Sequence, residues 1–280
     1  MEEPPILIFD TYAGLCNQMF DIRAGIQFCK EHCYMFSFRN ASFRNPKNLT
    51  KWFDVPFEQL FDTNFFEKYS NYIPIYSLQM NKDNTLNYDS SKKALELFNE
   101  EEDLEKQINK TKKKYIILKQ FWSLYKNYQD PENIYHQLMP CKKIQTQFHK
   151  MQVKLPEKYN YIHYRYEEDF NQHFKITNPT KLTQIIDEYP FQEKEYPIYI
   201  AASNIQHLGK KQLQKPLSQY KNIILKQETT QLNFEEAAFL DFMIGKHAQE
   251  IVGHEKSSFT LLLNSAHQSN NHYNKYFEEK

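Results

Sequence analysis

Tyr161-Ile162-His163-Tyr164-Arg165-Tyr166-Glu167-Glu168-Asp169-Phe170 carries an apolar strand straight into a cluster of ionisable groups. In an extended chain, side chains two apart share a face, so His163 and Arg165 are expected to project together while Tyr164 and Tyr166 pack on the other side. Three acids, Glu167, Glu168 and Asp169, follow at once. A guanidinium beside an imidazole at a strand's carboxyl end, ringed by carboxylates, suits recognition of a phosphorylated ligand next to a reacting hydroxyl.

Around this stretch, Tyr159 to Tyr166, Pro197 to Ala202, Asn222 to Leu225 and Glu250 to Val252 are strand candidates separated by helical stretches, which predicts an α/β unit. The start of the chain has the same character. Pro5-Ile6-Leu7-Ile8-Phe9-Asp10 is a short apolar strand that leads through Thr11-Tyr12-Ala13-Gly14-Leu15-Cys16-Asn17-Gln18 into an amphipathic run ending near His32. Tyr34 to Phe38 then reads as a second strand. That first loop sets Asn17 and Gln18 near a helix N-terminus, at the edge where open α/β sheets collect ligands. The section from Asn40 to about Asn99, interrupted by Pro46, Pro56 and Pro74, is expected to form insertions and short helices. Asn99 to Lys114 runs from acidic to basic, the order that complements a helix dipole, and Tyr115 to Leu118 is a further strand. A polar helical segment between Pro140 and Pro156, with Ile144, Phe148 and Met151 on it, marks the boundary between an N-terminal domain over 1–150 and a C-terminal domain over 151–280.

Composition limits the function classes. Lys plus Arg equals Asp plus Glu at 35 each, so no global field draws the chain to nucleic acid or an anionic membrane. Hydrophobic residues make up 40% of the 280, with 22 Phe and 20 Tyr, enough for packed cores despite a mean hydropathy of −0.77. No apolar run reaches the roughly 20 residues that span a bilayer, and the Met1-Glu2-Glu3-Pro4-Pro5 start is acidic where a secretory segment is basic. A cytoplasmic or otherwise soluble protein is the expectation. Four cysteines, Cys16, Cys29, Cys33 and Cys141, are too few for a disulfide framework and fit a reducing compartment. Cys29 and Cys33 fall on the helical stripe of Ile22 and Ile26 and read as small buried residues rather than metal ligands.

Only five glycines occur, and Gly14, Gly245 and Gly253 lie in or beside the segments of interest. Gly253 precedes His254-Glu255-Lys256-Ser257-Ser258-Phe259-Thr260-Leu261-Leu262-Leu263, a loop opening into a helix. Ser257 and Ser258 at its first turn offer hydroxyls beside free backbone N–H groups, as a phosphate site or as a plain N-cap. Upstream, Asp241 stands alone among apolar neighbours in the helix around Glu235 to Ile244. A buried acid needs a partner, so Asp241 is either a structural acceptor or a group that reaches a nucleobase or ribose. No Asp-x-Asp pair and no His-x-x-x-His spacing occurs. A serine hydrolase built on Ser257 or Ser258 with His163 or His254 lacks its Gly-x-Ser-x-Gly elbow.

Taken in order along the chain, Ala13-Gly14-Leu15-Cys16-Asn17-Gln18, the His163-to-Phe170 strand end, Asp241 and Ser257-Ser258-Phe259 resemble the fucosyltransferase superfamily, in particular its protein O-fucosyltransferase-like branch. The resemblance implies a GT-B fold of two Rossmann-like domains with a cleft between them, the second holding most of a nucleotide diphosphate-sugar. It implies inverting transfer without a metal or other cofactor, from GDP-fucose in the first place, to a hydroxyl of a glycan or protein. Arg165 then matches the arginine that neutralises the departing β-phosphate, with His163 its partner near the nucleotide. Gly14, Asn17 and Gln18 match the first-domain donor loop, Asn17 being the asparagine that closes on the diphosphate and sugar. Ser257, Ser258 and Phe259 match the loop around the phosphates, and Asp241 the acid near base and ribose. Glu167, Glu168 and Asp169 are candidates for the base that deprotonates the acceptor. Ala13 departs from the family, where a second glycine is common, so another donor such as UDP-xylose stays open, as does a binding protein without turnover.

Overall fold

β1 (Ile6–Asp10) explains the first half of the architecture, because a strand buried on both faces reads as an unbroken apolar run. Leu7, Ile8 and Phe9 have no exposed surface. The computed structural model describes residues 3–89, 101–123, 130, 132–165, 168–176, 181–188, 191–202, 222–226, 231–267 and 274–277. They fall into two compact units, the first of Met1–Gln145 with Leu232–Ala238, the second of Thr146–Gln231 with Phe239–Lys280.

In the first unit, β1 is followed by α1 (Leu15–Glu31), β2 (Phe36–Asn45), β3 (Asn48–Pro56), β4 (Thr85–Asp89), α2 (Glu101–Lys110), β5 (Tyr115–Lys119) and the short α3 (Ile134–Gln137). The sheet order is β3-β2-β1-β5-β4, with β2 and β5 parallel to β1, β4 parallel to β5, and β3 antiparallel to β2. α1 lies close on β1 because Gly25 has no side chain: a Cβ there would stand 3.0 Å from the Phe9 ring.

Two strands depart from the sequence expectation. β2 runs on to Asn45 and turns through Pro46 and Lys47 into β3, where insertions were expected. Pro46 is a turn residue and Pro56 a strand end, both places where a missing N–H costs no ladder bond. The stretch after Pro56 does contain the expected short helical turns, at Phe57–Gln59, Thr63–Lys68 and Ile75–Ser77, before β4. α1 also stops at Glu31, so Cys29 is buried as expected but Cys33 is exposed beyond the helix end.

The chain continues through α4 (Lys142–Gln152), β6 (Asn160–His163), α5 (Glu168–Phe174), α6 (Leu182–Glu188), β7 (Ile198–Ala201), β8 (Ile223–Leu225), α7 (Phe234–Lys246), β9 (Ile251–His254), α8 (Ser258–Ala266) and β10 (Asn274–Phe277). The second sheet is parallel throughout, in the order β10-β9-β6-β7-β8. β10 has no counterpart in the sequence expectation. Tyr161 and Ile162 of β6 are buried beside Tyr199, Ile200 and Val252. The strand ends at His163, so Arg165 lies beyond it rather than on its face as alternation predicted.

Topology singles out one edge of each sheet. The second passes from β6 out to β7 and β8, then returns to β9 on the other side of β6. Carboxyl ends of strands on either side of such a reversal open a crevice. β6 and β9 flank it in the second unit, and β1 and β5 flank the corresponding reversal in the first.

Candidate active site

The second unit's crevice begins with an absent side chain. Gly253 pairs with His163 across the β6–β9 register. A Cβ on Gly253 would stand 2.4 Å from Thr260 Oγ1. Without it, the first turns of α8 settle against the sheet and Thr260 Oγ1 meets His163 Nδ1 at 3.0 Å. The imidazole also packs on Phe259, ring centroids 4.4 Å apart. Burial, followed by the charges of Arg165, Lys226 and His254, holds the His163 pKa well below the usual imidazole range. The imidazole is therefore held neutral.

α8 starts at this edge. Ser257 occupies the N-cap position with extended backbone, yet its hydroxyl makes no capping bond. It is 2% exposed, and Oγ has no hydrogen-bond partner. An uncompensated buried hydroxyl costs about 1–3 kcal/mol, so its position is not explained by capping the helix. Ser258 is exposed as the first helical residue, while Phe259 is buried between His163 and Phe242. The free N–H groups of a helix start and its dipole add positive potential there.

Arg165 follows β6 and is half-buried, its guanidinium 4.6 Å from the centre of the Phe170 ring on α5. Phe170 also meets the His254 ring edge-on at 5.3 Å. His254 Nδ1 accepts from the Lys256 N–H at 3.1 Å, and burial, then Lys256 and Arg165, lower its pKa. Glu168 and Asp169 open α5 directly after this segment, and Glu167 lies outside the described residues.

Asp241 of α7 is buried, and its partner is Lys226, the residue directly after β8. Burial raises the Asp241 pKa, opposed by the Lys226 ammonium. Sequence reasoning identified the strand before Lys226 but not the lysine. A cation placed where a partly buried strand ends, in a chain with a lone buried acid, was the signal available.

The first unit's edge is built around Gln18. Fully buried, its Oε1 accepts from Thr11 Oγ1 at 2.9 Å and Ser42 N at 3.0 Å. Its Nε2 donates to Ala13 O at 2.8 Å and Ser42 O at 2.7 Å. Read from sequence as a donor contact, Gln18 is the fastener of the loop, with its amide fully engaged. Asn17, partly exposed in the first turn of α1, makes no side-chain hydrogen bond to a described residue. Asp21 adds a second fastener, accepting from Tyr12 N at 3.1 Å and Trp122 N at 2.8 Å.

The loop's left-handed residue is Ala13, φ 68°, whereas Gly14 has an ordinary φ of −63°. Only a glycine takes this conformation without cost, so alanine here carries strain. Beside Gly14 stands Arg44, stacked over Trp52 and Phe234 at 4.6 and 4.4 Å and bonded through its backbone N–H to Glu235 at 2.8 Å. Asp10 closes β1 in a two-pronged ion pair with Arg39, and Lys119 at the end of β5 covers the Tyr12 ring at 4.5 Å. Among the described residues no group of three or more His, Cys, Asp or Glu is arranged to hold a metal ion.

No protein-family model and no curated protein matches the sequence. Solved structures do match the fold. POFUT1 in complex with GDP-fucose superposes with a TM-score of 0.69 at 12% identity, covering 100% of this chain and 99% of that one. NodZ α-1,6-fucosyltransferase co-crystallised with GDP gives 0.61 at 9% identity, over 94% and 92%. Fucosyltransferase NodZ from Bradyrhizobium gives 0.57 at 8%, over 94% and 93%. The chain has the GT-B fold of these fucosyltransferases along nearly its whole length.

Proposed function

We propose that this chain is a glycosyltransferase that moves a sugar from a nucleotide diphosphate donor, GDP-fucose before others, to a hydroxyl of a glycan or protein. One observation carries the reading: a buried, unpartnered hydroxyl, Ser257 Oγ, at the N-terminus of α8. It stands on the sheet's reversal point, in the segment that His163 and Thr260 fasten down, with Arg165 following the neighbouring strand. A helix start, a hydroxyl donor and a guanidinium together suit a diphosphate.

In this reaction the acceptor oxygen bonds to the anomeric carbon as the bond from that carbon to the β-phosphate oxygen breaks, with inversion. The electron pair leaves on the nucleoside diphosphate. Arg165 and the α8 N-terminus stabilise the charge that develops there, so no metal is required. His163, held neutral, orients the edge without competing for the phosphates. The acceptor proton passes to one of Glu167, Glu168 or Asp169, or to solvent along an oxocarbenium-like path.

The test is calorimetry of the full chain with GDP and UDP, followed by release of GDP from GDP-fucose over a panel of glycan and peptide acceptors. Arg165→Ala is expected to lower turnover at least about 100-fold, the size of one lost transition-state contact, while melting with the wild type. Full activity in Arg165→Ala refutes the assignment. Nucleotide binding without transfer to any acceptor points instead to a noncatalytic nucleotide-sugar-binding protein, and turnover with UDP-xylose alone to a different donor.

A further inference from the structure

The β2–β3 hairpin carries a polar cluster of the first unit that has no part in the diphosphate chemistry of the second. β1 pairs with β2 as far as Asp10 opposite Asn40, whereas β2 and β3 go on pairing to Asn45 opposite Asn48. At about 3.4 Å per residue the hairpin overhangs the carboxyl end of β1 by roughly 17 Å. Arg44 opposite Trp52 and Ser42 opposite Asp54 are two apart along their strands, so the four side chains share one face of the overhang. Tyr12, two residues past β1, meets Trp52 there, ring centroids 6.1 Å apart and tilted by 52°. The face therefore gathers a guanidinium, two partly exposed rings and the exposed carboxylate of Asp54, which Lys119 meets at 3.3 Å.

Arg44 is held as a clamp is held. Its guanidinium stacks on Trp52 and Phe234, and its Nε lies 3.4 Å from Oε1 of the buried Glu235. Those contacts fix the plane of the group but use only its faces and Nε. Nη1 and Nη2 hydrogen-bond to no described residue. Nη2 stands 3.4 Å from where a Cβ on Gly14 would be, so no side chain at that position covers it. A preorganised fork with its N–H groups to spare matches an oxyanion bidentately. One cation whose Nε already faces a carboxylate suits a single further negative charge rather than a phosphate dianion, and a carboxylate is that complement. Trp52 and Tyr12 offer ring surface to the C–H face of a pyranose, and Asp54 accepts from hydroxyls. A sugar acid carries all three groups on one ring.

We propose that the first unit binds an acidic glycan, its uronic-type carboxylate on the Arg44 fork and its sugar ring against Trp52 and Tyr12. That this glycan is the acceptor rests on the transferase reading above; the site itself stands without it.

The experiment is equilibrium binding of methyl glucuronide, methyl glucoside, acetate, inorganic phosphate and a glutamate-containing tetrapeptide to the full chain at fixed ionic strength. The chain has two tryptophans, so Trp122→Phe leaves Trp52 as the sole one, and its emission locates the ligand. Wild type is expected to bind the glucuronide at least about tenfold tighter than the glucoside or acetate, the size of a charge-assisted pair, with Trp52 emission changing in step. Arg44→Gln brings the glucuronide down to the glucoside. Arg44→Lys keeps a cation on the rings but no fork, so it melts with the wild type and loses most of the preference. The proposal is overturned if glucuronide and glucoside bind alike, if the preference survives in Arg44→Gln, if Trp52 emission does not respond, or if phosphate or the peptide binds more tightly than the glucuronide. GDP calorimetry on the same protein separates the two readings. GDP binding without glucuronide binding overturns this proposal alone, and glucuronide binding without GDP binding overturns the transferase reading while the site stands.

Discussion

Gly253→Ala tests the second unit's edge most directly, because one added carbon meets three atoms of one side chain. The new Cβ would stand 2.4 Å from Thr260 Oγ1, 2.6 Å from Cγ2 and 3.1 Å from Cβ. Threonine is branched at Cβ and restricted in χ1 within a helix, and with both γ atoms and the Cβ crowded, no rotation clears the contact. α8 must lift or β9 must bend. Overpacking of this kind costs about 1–3 kcal/mol, and losing the 3.0 Å His163–Thr260 bond adds about 1 kcal/mol. The sum, about 2–4 kcal/mol, corresponds to a fall in Tm of roughly 4–16 °C. The control is built into the geometry. Thr260→Ala alone loses only the bond, about 1 kcal/mol; the double variant loses the bond but not the space, and should be as stable as Thr260→Ala. Calorimetric melting of the four proteins gives the coupling. If Gly253→Ala melts with the wild type, or the double variant is no better than Gly253→Ala, the packing described for this edge is wrong.

Other outcomes follow from neighbouring residues. Ser257→Ala removes a buried hydroxyl that bonds to nothing, so stability should hold or rise by up to about 1 kcal/mol, while GDP affinity by calorimetry falls several-fold; a loss of stability with unchanged affinity contradicts the phosphate assignment. Ala13→Gly relieves a left-handed alanine and should raise the unfolding free energy measured in urea by up to about 1 kcal/mol, a gain reduced by the freer unfolded chain. Asp21 is pushed up to about 8 by burial, against backbone N–H groups of Trp122, Tyr12 and Phe121. Native protein thus holds a proton that the unfolded chain releases near 3.8, and stability falls as pH rises between those values, by at most about 1.4 kcal/mol per pH unit. Asp21→Asn cannot titrate, so its urea midpoints between pH 5 and pH 8 should decline less steeply; parallel slopes rule out the protonated acid.

Much of this architecture was legible because buried parallel strands are written as unbroken apolar runs. Ile6 to Asp10, Tyr115 to Leu118 and Tyr159 to His163 announce themselves, as does the serine loop before α8. The β2–β3 hairpin was hidden because its edge strand is polar and its prolines sit at a turn and an end, which local patterning reads as interruption. Arg165 was placed on the strand by alternation, which cannot tell where pairing stops. Gln18 shows a different limit. A residue can belong to a binding motif for the sake of the loop, and only the four bonds of its amide distinguish fastener from ligand contact. Lys226 was missed although its acid had been singled out, since no local pattern ties a lysine after a short strand to a carboxylate fifteen residues on.

The membership of Leu232–Ala238 in the first unit sets a schedule for synthesis. Arg44 waits for Phe234 and Glu235, and Lys143 for Glu236, whose carboxylate it meets at 2.7 Å. All of Thr146–Gln231 is translated in between. At roughly 5–20 residues per second, the emerging first unit spends roughly 4–17 s with its last seam open. A ribosome therefore cannot deliver the two halves as finished parts in turn, and a fragment ending at Gln145 would be an intermediate of that schedule rather than a domain.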